Sequence, residues 1–206
     1  MGGAPIFDQQ TVKEALAELG RRSYALGRTI EIAIYGGSAI LLTLNYRVST
    51  RDVDAVFEQD RDFVRRIVAD MADEFGWDRN WLNDGVKGWL SAIDNDPGIK
   101  ALFKTYPSED EPGLRVFLPK AEYLFAMKCR AMRVGGVDAS SDIDDIRRLA
   151  EALGISSSDQ ALALVERFYP HGILEPKTRF GLEEIFAVLD NTATDESAEG
   201  SGPVKP

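Results

Sequence analysis

The sequence predicts an α+β protein, in which a short mixed sheet flanked by helices is followed by a helical C-terminal part. Two short runs with β-branched residues, 31–35 and 53–57, predict strands. Two later runs, 101–106 and 114–118, predict an antiparallel pair, because a turn rich in proline, glycine and acidic residues separates them. From residue 120 onwards, apolar residues recur at helical spacing. Strands confined to the first part of the chain, with helices in both parts, indicate an α+β fold.

Helices are predicted around the first two strands. Apolar residues recur at helical spacing over 11–26, and Asp8 is available as the N-cap of that helix. A buried helix is predicted over 38–44, directly after a Gly-Gly-Ser turn. Over 61–75 one side is apolar and the other charged, which predicts a surface helix. Residues 77–97 mix tryptophans, polar groups and glycines, and they predict a loop with a short helix.

The C-terminal part is predicted to contain four helices and a tail. The helices are expected over 120–133, 141–153, 158–168 and 182–189. Residues 191–206 are rich in Thr, Ser, Glu, Gly and Pro and have almost nothing to bury, so they predict a disordered tail. The predicted organisation is a first domain over 1–119, a helical part over 120–190 that packs on it, and a tail over 191–206.

Composition and charge limit the class of protein. With 206 residues, 44% of them hydrophobic, the chain can bury a core without cross-links, and its single cysteine, Cys129, excludes an internal disulfide framework. No apolar run approaches a membrane span and the N-terminus lacks a signal peptide, so the expected location is cytoplasmic, without a membrane partner. The net charge of −10 argues against a surface that binds nucleic acid throughout, and leaves open a local basic patch that includes Arg47 and Arg51.

Two short motifs carry the chemistry that the sequence suggests. Gly36-Gly37-Ser38 follows the first predicted strand and opens a helix, so backbone N–H groups and the positive end of the helix dipole can meet a phosphate. Asp52 and Asp54 alternate on the second predicted strand, which sends both carboxylates to one face, where they can share divalent metal. Either motif alone is common in turns, but the combination predicts a site for a metal-bound nucleoside triphosphate. Asn83 and Asp84 could line the same cleft.

This combination resembles the DNA polymerase β-type nucleotidyltransferase superfamily. Within it, the turn over 36–39 and the run Ser-Thr-Arg-Asp-Val-Asp over 49–54 are most similar to the small bacterial AbiEii-like toxin group. The resemblance implies that the domain over 1–119 is catalytic, that Asp52 and Asp54 are catalytic ligands of Mg²⁺ or Mn²⁺, and that an NTP is the donor substrate. The residues that it implies for nucleotide binding are Gly36, Gly37, Ser38, Thr50, Arg51 and Lys128.

Two later motifs extend the resemblance. Lys128 lies in Ala-Met-Lys-Cys-Arg-Ala, which is similar to the helix motif of the AbiEii-like group, in which a lysine faces the nucleotide. From the residues alone, the alternative is a solvated lysine beside an apolar helix face. Asp142 and Asp145 match the aspartates of a later motif, and Asp142 matches the functional one. Ser141 stands where arginine is usual, and 114–118 offers no third metal carboxylate, so two aspartates, completed by Asp142, would form the site.

The implied activity is Mg²⁺-dependent transfer of a nucleotide from an NTP to an acceptor. Proteins of the AbiEii-like group are often toxins of toxin–antitoxin or phage-defence pairs, and some relatives modify the 3′ end of tRNA. The resemblance therefore implies tRNA as an acceptor and an antitoxin as a partner. The alternatives are transfer to a small molecule or a protein hydroxyl, and a non-catalytic module that binds a nucleotide or a partner protein. The acidic net charge favours a non-RNA acceptor.

Overall fold

The computed structural model describes residues 7–44, 47–57, 59–133, 139–170 and 174–199, with the side chains of 139 and 188–199 left aside. Contacts divide the chain into two units, Met1–Lys120 and Ala121–Pro206. The first unit contains a five-stranded sheet with helices, and the elements of the second unit are all helices within the described ranges. The predicted α+β class, with a mixed sheet and a helical C-terminal part, is confirmed. None of the described helices combines the length and apolarity needed to span a membrane.

The first unit is built on a mixed sheet. Its elements are α1 (Gln9–Ala25), β1 (Ile30–Ile34), α2 (Gly36–Thr43), β2 (Val53–Val56), α3 (Arg61–Phe75), β3 (Leu82–Asn83), a 3₁₀ turn (Gly85–Trp89), β4 (Lys100–Pro107) and β5 (Pro112–Pro119). The strand order is β3-β2-β1-β5-β4. β1 runs antiparallel to β2 and parallel to β5, while β2 and β3 are parallel and β4 and β5 antiparallel. The predicted antiparallel pair is therefore the β4–β5 hairpin.

Strand β3 corrects the prediction of a loop with a short helix over 77–97. The short helix is present as the 3₁₀ turn, but Leu82 and Asn83 also pair with Val53 and Asp54 of β2. A strand of two residues is too short to show an alternating pattern, so its pairing depends on contacts with β2 that the local sequence does not show.

The two faces of the sheet differ in burial. Ile30, Ile32 and Ile34 of β1 are almost fully buried, as are the β5 residues on the same face. Because side chains alternate along a strand, Glu31 and Ala33 of β1 lie on the opposite face, where Glu31 is exposed. Ala33 is paired with Val56 of β2. Directly opposite residues share a face, so Asp54, two residues before Val56, lies on this more open face.

Helix α1 packs closely against the β4–β5 hairpin. A Cβ on Gly20 would lie 2.6 Å from the carbonyl oxygen of Tyr106, and a Cβ on Gly113 would lie 1.8 Å from the carbonyl oxygen of Gly20. Glycine at both positions is therefore required by the approach of the two backbones. The helix begins as predicted, since the carboxylate of Asp8 accepts a hydrogen bond from the backbone N–H of Thr11 at 2.7 Å.

The second unit contains α4 (Ala121–Ala131), α5 (Ala139–Leu153), α6 (Ser158–Phe168) and α7 (Pro176–Glu199). The first three agree with the predicted helices, and the hydroxyl of Ser157 caps α6 by accepting from the N–H of Gln160. Helix α7 is longer than the predicted 182–189 and includes 191–199, which the sequence predicts to be disordered. That stretch contains no glycine or proline before Gly200, so no residue in it ends the helix. Residues 200–206 of the predicted tail lie outside the described residues.

Candidate functional site

The two motifs of the sequence lie side by side in the first unit. β1 ends at Ile34 and α2 begins at Gly36, so the Gly-Gly-Ser sequence is the first turn of α2. β2 runs back along β1, with Ile34 opposite Ala55, and the N–H of Tyr35 donates to the carbonyl oxygen of Asp54 at 2.8 Å. The strand pairing thus places Asp54 beside the start of α2.

Gly36 makes room for the carboxylate of Asp54. Its φ of 61° lies in the left-handed region, which favours glycine. A Cβ at Gly36 would lie 2.7 Å from Oδ2 of Asp54. A residue other than glycine would therefore be strained in its backbone and would also displace the aspartate.

The first turn of α2 has the features of an anion site. The first N–H groups of a helix have no partner within the helix, and the N-cap residue Tyr35 makes no side-chain cap hydrogen bond. A Cβ on Gly37 would lie 2.8 Å from Cζ of Arg47, so the guanidinium lies directly over that glycine. Its Nε donates to the carbonyl oxygen of Ser49 at 3.1 Å. The N–H dipoles and the positive guanidinium both favour a phosphate here.

Two hydroxyl groups hold the backbone at Asp52. The buried Ser38 hydroxyl donates to the carbonyl oxygen of Asp52 at 2.7 Å, and the Thr50 hydroxyl donates to the same oxygen at 3.1 Å. Thr50 also forms a two-way backbone pair with Phe7, with both N···O distances 2.8 Å. The predicted binding residues Ser38 and Thr50 therefore use their hydroxyls to position Asp52, and Ser38 would contact a phosphate through its backbone N–H.

Asp52 and Asp54 are both half-buried; Asp54 lies within β2, and Asp52 immediately precedes that strand. Asn83 is the strand partner of Asp54, and its Nδ2 donates to Oδ2 of Asp52 at 3.0 Å, so the side chain of Asn83 links Asp52 to the face of Asp54. Hard carboxylate oxygens of this kind fit Mg²⁺ or Mn²⁺, which usually retain waters and bind one or two protein carboxylates together with substrate phosphates. No group of three or more His, Cys, Asp or Glu that could hold a metal occurs among the described residues.

The later motifs form a cluster of ion pairs within the second unit. Nζ of Lys128 lies 2.8 Å from Oδ2 of Asp145 and 3.4 Å from Oδ1 of Asp142. Arg133 adds a second cation, with Nε 2.8 Å from Oδ2 of Asp142. The side chains of Lys128, Asp142 and Asp145 are 13%, 6% and 3% exposed, so the charges of this cluster compensate one another away from bulk water.

The pKa of Asp142 reflects the charges of this cluster. Burial alone raises the pKa of Asp142, but the hydrogen bond from Arg133 and the charge of Lys128 outweigh burial and hold the pKa below its ordinary value. Asp142 is therefore a stable anion at neutral pH. The alternative of a solvated Lys128 is wrong, because its ammonium group is largely buried between two carboxylates.

The predicted site residues thus fall into two groups. Within the first unit, the fold brings together the residues of the two motifs, which are Gly36, Gly37, Ser38, Thr50, Asp52 and Asp54. Arg51, next to them in sequence, is exposed. Within the second unit, Lys128 and Asp142 lie together. Asp84 pairs with Lys87 at 3.0 Å.

The position of Arg47 over Gly37 is a feature that the sequence reasoning missed. Arg47 could be named only as one member of a basic patch, because the loop between α2 and β2 has no periodic pattern. The signal that could have found it is the short distance in sequence between α2 and β2, which keeps Arg47 near both elements. Asn83 does lie at the cleft, as the sequence suggested, through its hydrogen bond to Asp52.

Comparisons with protein-family models, with curated proteins and with solved structures found no match to this chain.

Proposed function

We propose that this chain is a metal-dependent nucleotidyltransferase, which transfers a nucleotide from an NTP to the hydroxyl of an acceptor. The observation that carries the proposal is the position of the Asp54 carboxylate over Gly36, at the start of α2, with Asp52 immediately before the same strand. A metal-binding carboxylate and an anion-binding helix start lie side by side, as the complex of a divalent cation with a triphosphate requires.

Each residue of the site has a role in this proposal. The N–H groups of Gly36, Gly37 and Ser38 bind the terminal phosphates, and the guanidinium of Arg47 adds positive charge above Gly37. Asp52 and Asp54 would hold Mg²⁺ or Mn²⁺. When bound, the metal neutralises charge on the phosphates and lowers the pKa of a coordinated hydroxyl.

The reaction that fits is an in-line displacement. The hydroxyl oxygen of the acceptor forms a bond to the α-phosphorus, the bond from that phosphorus to the bridging oxygen breaks, and pyrophosphate leaves with the electron pair. The hydroxyl proton passes to solvent. The protein contributes by holding the donor phosphates at α2 and by orienting the carboxylates through Ser38, Thr50 and Asn83.

The wider context of the proposal comes from the resemblance to the AbiEii-like group. On that basis the acceptor is tRNA or another RNA, the cellular role is that of a toxin–antitoxin or phage-defence component, and a cognate antitoxin is the protein partner. Lys128 as a triphosphate ligand and Asp142 as an active-site acid are proposals on the same basis. Both residues also have a structural role, since each forms ion pairs within the second unit.

A second candidate is a non-catalytic module that binds a metal–nucleotide complex without turnover. It is favoured by the carboxylate count: β2 carries Asp54, Asp52 immediately precedes that strand, and β5, which is separated from β2 by β1, carries no acidic residue. Such a module would use the same N–H groups and the same aspartates, but it would lack a ligand to activate the acceptor hydroxyl.

One experiment separates these functions. The purified chain is incubated with each of the four labelled NTPs and Mg²⁺ or Mn²⁺, together with total tRNA, a protein lysate, a set of hydroxylated small molecules or buffer alone. We expect label on tRNA, and we expect Asp54→Asn to abolish it while Asp110→Asn, an exposed loop aspartate, leaves it unchanged. Label on protein or on a small molecule would change the acceptor, and metal-dependent binding without any label would establish the second candidate.

A further inference from the structure

A pocket of about 260 Å³ opens on the sheet face that carries Asp54. Its floor includes Ala33 of β1, Val56 of β2 and Phe117 of β5. Ala33 is paired with both Val56 and Phe117, so the three side chains share one face. Val56 follows Asp54 by two residues on the same strand, which places the pocket about 7 Å along β2 from that aspartate.

The pocket and the start of α2 lie in opposite directions from Asp54. Gly36 follows β1, whereas Ala33 precedes the end of β1, and Val56 follows Asp54 on the antiparallel neighbour. Along this face the start of α2 therefore comes first, Asp54 second and the pocket third. In an in-line displacement the attacking oxygen approaches from the side opposite the leaving pyrophosphate. The pocket is on the side from which an acceptor would approach.

The charges around the pocket are already compensated by protein groups. At its rim, Nζ of Lys100 lies 2.5 Å from Oδ2 of the buried Asp94 and also donates to the side-chain oxygen of Asn95. Glu31 pairs with Arg115 at 3.2 Å. A phosphate group would need a cation that is not already neutralised, so the pocket suits an uncharged ligand.

Shape and chemistry narrow that ligand further. The volume of about 260 Å³ is below the roughly 300–1,000 Å³ of pockets for drug-sized ligands, so the pocket suits a single ring system. Phe117 is half-buried and offers an aromatic surface for stacking. The exposed side-chain amides of Gln59 and Asn95, at the rim, can donate and accept hydrogen bonds at the edge of a ring.

We propose that this pocket, made by Ala33, Val56 and Phe117 with Gln59 and Asn95 at its rim, binds the terminal nucleobase of a nucleic-acid acceptor. The inference rests on the proposed nucleotidyl transfer, because that reaction defines which side of Asp54 the acceptor occupies. It deepens the proposed function by giving the acceptor class a binding site in the first unit.

The test uses nucleosides without phosphates, which cannot bind through the start of α2. Adenosine, cytidine, guanosine and uridine are titrated into the ¹⁵N-labelled full chain, with ribose as the control for the sugar. We expect at least one nucleoside, and not ribose, to shift the amide signals of Ala33, Val56 and Phe117. Ala33→Leu, which fills the floor, is expected to weaken this binding by about tenfold or more, as loss of a stacked ring contact would.

A rim variant protects the test against misfolding of Ala33→Leu. Gln59→Ala changes an exposed side chain, and it is expected to weaken nucleoside binding by about threefold. Gln10→Ala on α1, also an exposed glutamine, is the matched control and is expected to bind as the unchanged chain does. The proposal would be overturned if nucleosides did not shift the amide signals of residues 33, 56 and 117. It would also be overturned if Ala33→Leu, Gln59→Ala and Gln10→Ala all had the same nucleoside affinity.

A second arm distinguishes the acceptor base from the base of the donor NTP. The titration is repeated in saturating Mg²⁺ and a non-hydrolysable NTP analogue. An acceptor pocket keeps its nucleoside under these conditions, whereas displacement of the nucleoside by the NTP analogue would assign the pocket to the donor and overturn the proposal. Failure of the proposed function is detected separately, because it would abolish Mg²⁺-dependent NTP binding at residues 36–38 without changing nucleoside shifts at the pocket.

Discussion

Two of the aspartate pairs in the chain, Asp52 with Asp54 and Asp142 with Asp145, have opposite surroundings. Asp52 and Asp54 are half-buried on the open face of a sheet, beside the N–H groups at the start of α2. Asp142 and Asp145 are buried in a helical unit, with Lys128 and Arg133 of the same unit against them. We propose that the first pair receives a cation together with an anion, whereas the second pair is compensated by Lys128 and Arg133.

The two pairs should therefore contribute to different properties, the first to ligand affinity and the second to the free energy of folding. Taking charges out of water is costly, and a buried pair is tolerated only when its partners compensate it. The second pair meets that condition within the protein, so removing one partner should cost folding free energy. The first pair keeps access to solvent, so neutralising one of its members should cost ligand affinity and leave folding almost unchanged.

The largest expected effect is on the first pair. Asp54→Asn keeps the shape of the side chain but removes its charge. We expect metal-dependent transfer, or metal-dependent NTP affinity, to fall by about 100-fold or more. Residues that only orient a metal ligand already contribute about 10–100-fold to metal affinity or activity, and a direct ligand should contribute at least as much. Urea unfolding of the variant should match that of the unchanged chain. Near-normal turnover in the variant would show that Asp54 is not part of the site. If the unchanged chain binds NTP without turnover, near-normal NTP affinity in the variant would show the same.

The second pair should respond in the opposite way. Lys128→Met removes the 2.8 Å ion-pair partner of Asp145 and leaves Asp142 its ion pair with Arg133. We expect the free energy of unfolding to fall by about 3 kcal/mol, the lower end for a broken buried pair. Lys120→Met, at an exposed lysine, is the control and should change stability little.

Calorimetry of NTP binding to the Lys128→Met variant sharpens the result. Lower NTP affinity in a variant of unchanged stability would contradict the structural role and would support Lys128 as a direct triphosphate ligand. Lower stability with unchanged affinity would confine Lys128 to folding of the second unit.

A smaller effect is expected at Gly36, where two costs can be separated. Gly36→Ala introduces a Cβ at a φ of 61° and within 2.7 Å of the Asp54 carboxylate. Gly76→Ala has nearly the same backbone cost, of about 1–2 kcal/mol, because Gly76 has a φ of 70° but no heavy atom within 4 Å of an added Cβ.

We expect both glycine variants to lose similar stability and only Gly36→Ala to lose NTP affinity. Thermal unfolding and calorimetry measure the two quantities. Equal NTP affinity in the two variants would contradict the placement of the phosphates at the start of α2.

The second pair also predicts a dependence of stability on pH. The pKa of Asp142 is lower in the folded chain than the value of about 3.9 for an unfolded aspartate. Its contribution to stability is therefore fully present above that value and is lost as the pH falls through the folded-state pKa. Unfolding free energies at pH 5 and pH 3 should differ less in Asp142→Asn than in the unchanged chain or in the exposed control Asp110→Asn. An equal difference in all three would remove Asp142 from the acid response.

Much of the fold could be predicted because its signals are local. The caps of α1 and α6, the period of α3 and the turn between β4 and β5 are all carried by neighbouring residues. Strand β3 could not be predicted, because its two residues are a strand only through their pairing with β2. The same distinction applies to α7, whose continuation beyond 190 depends on the absence of a breaking residue rather than on an apolar pattern.

The candidate site was predicted as two motifs but not as an arrangement. Spacing on a strand indicates that Asp52 and Asp54 share a face, and the Gly-Gly-Ser sequence indicates the start of a helix. The position of Arg47 over Gly37 and the use of the Ser38 hydroxyl to hold the Asp52 backbone are tertiary contacts that no periodic pattern in the sequence indicates. Likewise, Lys128 has the same sequence pattern whether its ammonium group is solvated or lies between two buried aspartates.

The most direct test of the central claim uses Mn²⁺ as a paramagnetic ion with the ¹⁵N-labelled full chain and a non-hydrolysable NTP analogue. We predict that substoichiometric Mn²⁺ broadens the amide signals of 36–38 and 52–54 most strongly, and that the broadening disappears in the double variant Asp52→Asn, Asp54→Asn. Broadening that persists in the double variant, or that is centred elsewhere in the chain, would contradict a metal–nucleotide site at the first aspartate pair.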